Sequence, residues 1–240
     1  MRIIRTKDYA EASKVAADII AAQVILKPDS VIGLATGSTP VGMYANLSKK
    51  CKDGLDFSMV TTVNLDEYVG LPPEHEQSYR RFMNENLFNN INIKPENTHL
   101  PNGMAADPEA ECVRYEALIN SLGGVDMQLL GIGHNGHIGF NEPSDHFVCD
   151  TNCITLTKRT IEANSRFFAS EDEVPRRALS MGIRTIMRAK RILLLITSEE
   201  KAEILKKAVY GPVTPSVPAS ILQLHSDVTL VADAGALSAL

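Results

Sequence analysis

The sequence predicts an α/β protein: an open, mostly parallel Rossmann-like sheet with helices on both faces, built as one domain over residues 1–240. Two observations carry this. Short, predominantly apolar runs such as Val31-Ile32-Gly33-Leu34-Ala35 and Arg191–Ile196 suit strands covered on both faces, as in a parallel sheet. Between such runs lie stretches whose apolar residues recur at helical spacing, so strand and helix alternate along the chain.

The elements follow in order. Ile3–Ile4 is a short apolar run, and Tyr9–Leu26 has helical periodicity until Lys27-Pro28-Asp29 stops it. After the strand at 31–35, Thr39–Lys50 reads as a helix, Met59–Leu65 as a strand, Gln77–Phe88 and Pro108–Ser121 as helices, and Asp126–Ile132 as a buried strand. Arg191–Ile196 and Val228–Ala232 complete the set, with a helix from Glu199 to Val209 between them. The least regular part, Asn141 to Arg177, is a candidate lid. Internal repeats and Ser/Gly-rich linkers are missing, which favours one domain.

Composition narrows the function classes. With 24 basic and 29 acidic residues among 240, the net charge is −5. No run of Lys/Arg exceeds a pair, so the footprint expected of a nucleic-acid binder is missing. No window approaches the ~18 apolar residues of a membrane span, and MRIIRTKDYAEASK is no signal-peptide core, which places the protein in the cytoplasm. Four cysteines (Cys51, Cys112, Cys149, Cys153) are too few and too scattered for a disulfide framework. Cys149 and Cys153 with His134 and His137 do not have the usual zinc-finger spacing, so no metal is expected.

In open α/β sheets ligands bind outside the carboxyl ends of the strands, so the segments following each strand are the candidates. Thr36-Gly37-Ser38-Thr39-Pro40 follows the first fully apolar strand. Small residues, two hydroxyls and a proline suited to a first helical turn bring free N–H groups and a positive dipole end to one point, as an anion cradle needs. A plain strand-to-helix turn with a Ser/Thr cap has the same composition. The segment is neither a Walker loop nor G-x-G-x-x-G. Asn64-Leu65-Asp66-Glu67-Tyr68 puts adjacent carboxylates at a strand end, where one can serve as a base, although surface acids near turns are common.

The densest stretch is Gly131-Ile132-Gly133-His134-Asn135-Gly136-His137-Ile138-Gly139-Phe140-Asn141-Glu142-Pro143. Its literal G-x-G-x-x-G is not a dinucleotide fingerprint: Gly139 and Pro143 interrupt the helix that should follow, and Thr151 to Ile161, where a ribose-binding acid is expected, contains none. What remains is a glycine-rich loop presenting His137 beside Asn135 and Glu142, an arrangement for general acid/base work. Two cations lie further on. Arg166 sits in Asn164-Ser165-Arg166-Phe167-Phe168, and Lys201 follows a strand, where Thr197 and Glu200 form a capping-box pattern. A cation in the first turns of a helix is disfavoured unless an anion accompanies it, and a solvated charge is the plainer reading.

Taken together and in order, Thr36–Pro40, Asn64–Leu71, Gln77-Ser78-Tyr79, Gly131–Pro143 and Asn164–Phe168 resemble the glucosamine-6-phosphate deaminase family, from about residue 30 to Asp233. The related 6-phosphogluconolactonases share the fold and a similar glycine-His loop but lack the Phe-Asn-Glu-Pro and Leu-Asp-Glu-Tyr segments. The resemblance implies conversion of glucosamine 6-phosphate and water to fructose 6-phosphate and ammonia, without metal or nucleotide cofactor. It assigns ring opening to His137 with Glu142 orienting it, C2-to-C1 proton transfer to Asp66, and the phosphate to Thr36, Gly37, Ser38, Thr39, Arg166 and Lys201.

Asn135 stands where many members have Asp. Its carbonyl can accept a ring N–H but brings no charge, so more of that role is expected of Glu142. The allosterically activated hexameric members carry basic residues where this chain has Asp150–Thr155, and they have a longer tail. A monomer or small homo-oligomer, unresponsive to N-acetylglucosamine 6-phosphate, is therefore expected. A related sugar-phosphate lactonase or isomerase, and a non-catalytic sugar-phosphate sensor, are the alternatives.

Overall fold

The computed structural model describes residues 1–156, 161, 168, 170 and 173–240. Seven parallel strands form the main sheet in the order β1-β10-β9-β6-β2-β3-β5. They are β1 (Arg2–Thr6), β2 (Val31–Leu34), β3 (Thr61–Asn64), β5 (Thr98–His99), β6 (Met127–Leu130), β9 (Ile192–Ile196) and β10 (Val228–Asp233). The predicted strands are therefore present, each shorter at its margins except β10. Every residue of β2, β6 and β9 is buried, as their apolar composition requires of central strands. Edge strand β1 is half exposed, which is why its sequence shows only a brief apolar signal.

Sequence reasoning missed a second sheet. Strands β4 (Asp66–Tyr68), β8 (Arg177–Ser180) and β7 (Asn152–Thr155) pair antiparallel in the order β4-β8-β7, with Asp66 opposite Ser180. Their residues are short and polar, so no apolar run marks them. This sheet carries its own apolar cluster, which includes Tyr68, Leu71, Phe140, Leu156 and Val174. The candidate lid, 141–177, overlaps this region and contains all the residues that lie outside the description.

Among the described residues the α-helices are α1 (Tyr9–Leu26), α2 (Val41–Lys52), α3 (Tyr79–Asn86), α4 (Pro108–Ser121), α5 (Ile183–Met187) and α6 (Ala202–Tyr210). Side-chain caps set three of their starts: Asp8 accepts from Glu11 N, Ser78 from Arg81 N, and Asp107 from Glu109 N and Ala110 N, with Pro108 in the first turn. The capping box read at Thr197 and Glu200 does not form. The chain turns at Ser198 with φ +86°, runs through a 3-10 turn at Glu199–Lys201, and α6 begins without a side-chain cap. Asp233, at the end of the neighbouring β10, instead accepts from Ser198 N at 3.1 and 3.2 Å. Among the described residues no helix is long and apolar enough to cross a membrane.

Candidate active site

Strand order reverses about β2: the chain passes from β2 to β3 on one side and later returns as β6 on the other. At such a switch point the loops leaving adjacent strands diverge and open a crevice. A cavity of roughly 600 Å³ lies there, lined by residues following β2, β3, β6 and β9.

Thr36, Gly37, Ser38 and Thr39 form one wall, between the end of β2 and the start of α2. Gly37 has φ +99°, a left-handed conformation that favours glycine. Among the described residues, the backbone N–H groups of Gly37, Ser38 and Thr39 donate to no protein group. The first turn of α2 contains no acid. Three unspent N–H donors at the positive end of a helix suit an anion. Lys201 also lines the cavity; burial pushes its ammonium down to about 8, a cation the protein alone leaves poorly compensated. Arg166 lies outside the described residues.

Asp66 also lines the cavity, 6% exposed, its carboxyl pushed up to about 8 by burial and by the neighbouring charge of Glu67. Strand alternation turns Glu67 away from the cavity. Glu67 accepts from the backbone N–H of Tyr68, Tyr79 and Arg80, each at 2.9 Å, and so anchors the start of α3 to β4. Adjacent carboxylates thus have different surroundings, one facing the cavity and one committed to backbone donors.

The glycine-rich segment is a series of turns followed by a bridge between Ile138 and Asn141, with no long helix after it. Gly133 leaves room for the imidazole: a Cβ there would come within 2.2 Å of the His137 ring and push it from this position. His137 Nδ1 lies 3.2 Å from Glu142 Oε1, in ion-pair range but outside hydrogen-bond geometry. Asn135 does not receive the ring N–H expected of it. Its Oδ1 accepts the His137 backbone N–H at 3.2 Å and its Nδ2 donates to Glu142 Oε2 at 2.5 Å. Asn135 therefore orients Glu142, and Glu142 meets the imidazole.

The site also has an aromatic wall that residue-by-residue reading did not assign. Tyr68, Tyr79, Phe140 and Phe168 line the cavity, with Tyr68–Tyr79 centroids 4.8 Å apart and Tyr79–Phe140 stacked at 6.2 Å. All four lie within the segments that carry the family resemblance, but their convergence needs the second sheet.

A sequence model of the glucosamine-6-phosphate isomerases/6-phosphogluconolactonase family matches residues 7–231. The chain is 60% identical to a glucosamine-6-phosphate deaminase of Lachnoclostridium phytofermentans, over 96% of this chain and 98% of that one. It is 58% identical to one of Clostridioides difficile, over 100% and 97%. A solved structure of a monomeric glucosamine-6-phosphate deaminase superposes with a TM-score of 0.97 at 49% identity, covering 100% of both chains. The 6-phosphogluconolactonase of Trypanosoma cruzi, 19% identical with a TM-score of 0.81 over 100% and 96% of the chains, shares the fold.

Proposed function

Because the chain belongs to the family of glucosamine-6-phosphate isomerases and 6-phosphogluconolactonases, we propose that it converts glucosamine 6-phosphate and water to fructose 6-phosphate and ammonia. The observation that carries this reading is Asp66: a buried carboxyl lining the same crevice as the anion cradle, with His137 on that lining and Glu142 against His137.

The phosphate sits on the N–H groups of Gly37, Ser38 and Thr39, with the hydroxyls of Thr36, Ser38 and Thr39 within reach and Lys201 supplying charge. Arg166 is assigned to the phosphate by the family resemblance alone. His137, paired with Glu142, takes the proton from the anomeric hydroxyl and returns one to the ring oxygen, opening the pyranose. Asp66 then removes the C2 proton, which leaves an enolamine, and delivers it to C1, which leaves an imine at C2; water adds there and expels ammonia. A carboxylate does this best when screened from water and when its basicity is raised, and burial supplies both at Asp66.

The similarity to a monomeric deaminase supports a monomer or small homo-oligomer with hyperbolic kinetics. Sigmoidal kinetics relieved by N-acetylglucosamine 6-phosphate would refute that. The activity itself is tested by incubating purified, EDTA-treated protein with glucosamine 6-phosphate and assaying both products. Equal amounts of ammonia and fructose 6-phosphate are expected; binding without either product would replace the enzyme with a sensor.

A further inference from the structure

Two steps on one sugar require that the ring-opening pair and the proton-transfer carboxylate keep a fixed separation, yet they come from different sheets. His137 and Glu142 sit on the loop after β6 of the main sheet, and Asp66 sits on β4 of the small one. The link between them is made by β8. Ser180, 1% exposed, pairs directly across from Asp66. Its Oγ accepts the backbone N–H of Phe140 at 3.0 Å, midway between His137 and Glu142 on the loop. Among the described residues its own proton has the Met181 carbonyl at 3.4 Å as acceptor. Next to it, Asn141 Nδ2 donates to Ile138 O at 2.9 Å and to Met181 O at 2.8 Å, and Met181 N donates to Leu65 O at 2.7 Å. The approach is close: a Cβ on Gly139, whose φ is +57°, would lie 3.1 Å from Ser180 Oγ and 3.6 Å from Asp66 Oδ2.

We propose that Ser180 is a positioning residue whose hydroxyl holds the His137–Glu142 loop in register with Asp66. This rests on the deaminase reading above. The physical case is that Phe140 N is a buried donor with one short acceptor among the described residues. Removing that acceptor leaves the donor unsatisfied and frees the loop to shift relative to β4. Misplacement of reacting groups by a fraction of an ångström to 1 Å costs rate far more than it costs binding. The phosphate cradle lies on a different loop and is untouched by the change.

The test compares wild type and Ser180→Ala in kcat, in KM, and in the deuterium found at C1 of fructose 6-phosphate when the reaction runs in D2O. The variant is expected to lose about tenfold in kcat with KM within about twofold. Its product should carry more C1 deuterium than the wild-type product, because a sugar that shifts with the loop sits further from Asp66, which then exchanges the abstracted proton with solvent before returning it. Isotope content per product molecule does not depend on how much of the variant is folded, so it separates positioning from simple destabilisation. Ser180→Cys, which keeps a weak acceptor in place, should fall between the two. An unchanged kcat, or a reduced kcat with unchanged deuterium content, overturns the assignment. A wild-type protein that releases no ammonia overturns the deaminase reading, and this inference with it; wild-type turnover with an unaffected variant overturns the inference alone.

Discussion

The candidate anion end is built from one turn: Thr36, Gly37, Ser38 and Thr39 are consecutive, held between a buried strand and the helix it leads into. The candidate reacting end draws Asp66, His137 and Glu142, with Ser180 behind them, from β4, the loop after β6, and β8, across more than a hundred residues and two sheets. The first site is local, and its donors are backbone atoms whose direction follows from the strand-to-helix turn. The second is assembled by tertiary pairing, and its groups are side chains whose protonation depends on burial. A change far along the chain can therefore reach the chemistry without touching the anion cradle.

The largest effect should come from Asp66→Asn, which keeps the shape and removes the base. Turnover is expected to fall by about 10²–10⁴-fold while glucosamine 6-phosphate still binds by calorimetry. Comparable turnover in that variant would sever Asp66 from the reacting end. Lys201→Ala tests the other end: KM should rise roughly ten- to hundredfold with kcat little changed, the loss expected for one charge-assisted contact. A change confined to kcat would dissolve the division between the two ends.

The pH profile of kcat/KM should be a narrow bell. Asp66 acts ionised, so activity is lost as pH falls through its raised value near 8; Lys201 acts protonated, so activity is lost as pH rises through its lowered value near 8. Lys201→Arg should move the alkaline limb upward and leave the acid limb in place. If both limbs move together, the two ends are coupled in a way the geometry does not provide.

Smaller effects separate the adjacent carboxylates. Glu67→Gln replaces one acceptor of a buried carboxylate that serves three backbone donors, and should cost about 1–3 kcal/mol in denaturant unfolding while retaining more activity than Asp66→Asn. The reverse order of activities would exchange their roles. For Asp66 the stability effect has the opposite sign. Its folded value lies above the ordinary 3.8, so between about pH 4 and pH 8 the native state holds a proton that the unfolded chain has released, and stability falls as pH rises across that window. Asp66→Asn should therefore raise the melting temperature relative to wild type, by an amount growing from pH 5 to pH 8, with about 2–4 °C for each kcal/mol recovered.

Much of this was legible in the chain. The parallel sheet follows from apolar runs at 31–35 and 191–196 with helical periods between them, because central strands buried on both faces cannot hide their composition. His137 and Asp66 stood out because glycines crowd the first and a strand end carries the second. The small sheet was not legible: Asp66–Tyr68 and Asn152–Thr155 have no apolar run, and both pair with Arg177–Ser180, which for Asp66–Tyr68 lies about 110 residues further along the chain. Nor could Thr197 and Glu200 reveal that Asp233, on a neighbouring strand, would take the Ser198 N–H in place of a capping box.

By itself the sequence determined the α/β class and the buried central strands of the main sheet and singled out the candidate anion cradle and acid/base side chains, since each is written in contiguous residues and local periodicity. The tertiary structure alone decided which of two adjacent carboxylates faces the cavity, that Asn135 serves Glu142 and not the imidazole ring, and that Ser180 ties the loop to β4. Those outcomes depend on strand register and burial, which arise only when distant segments pack together and exclude water.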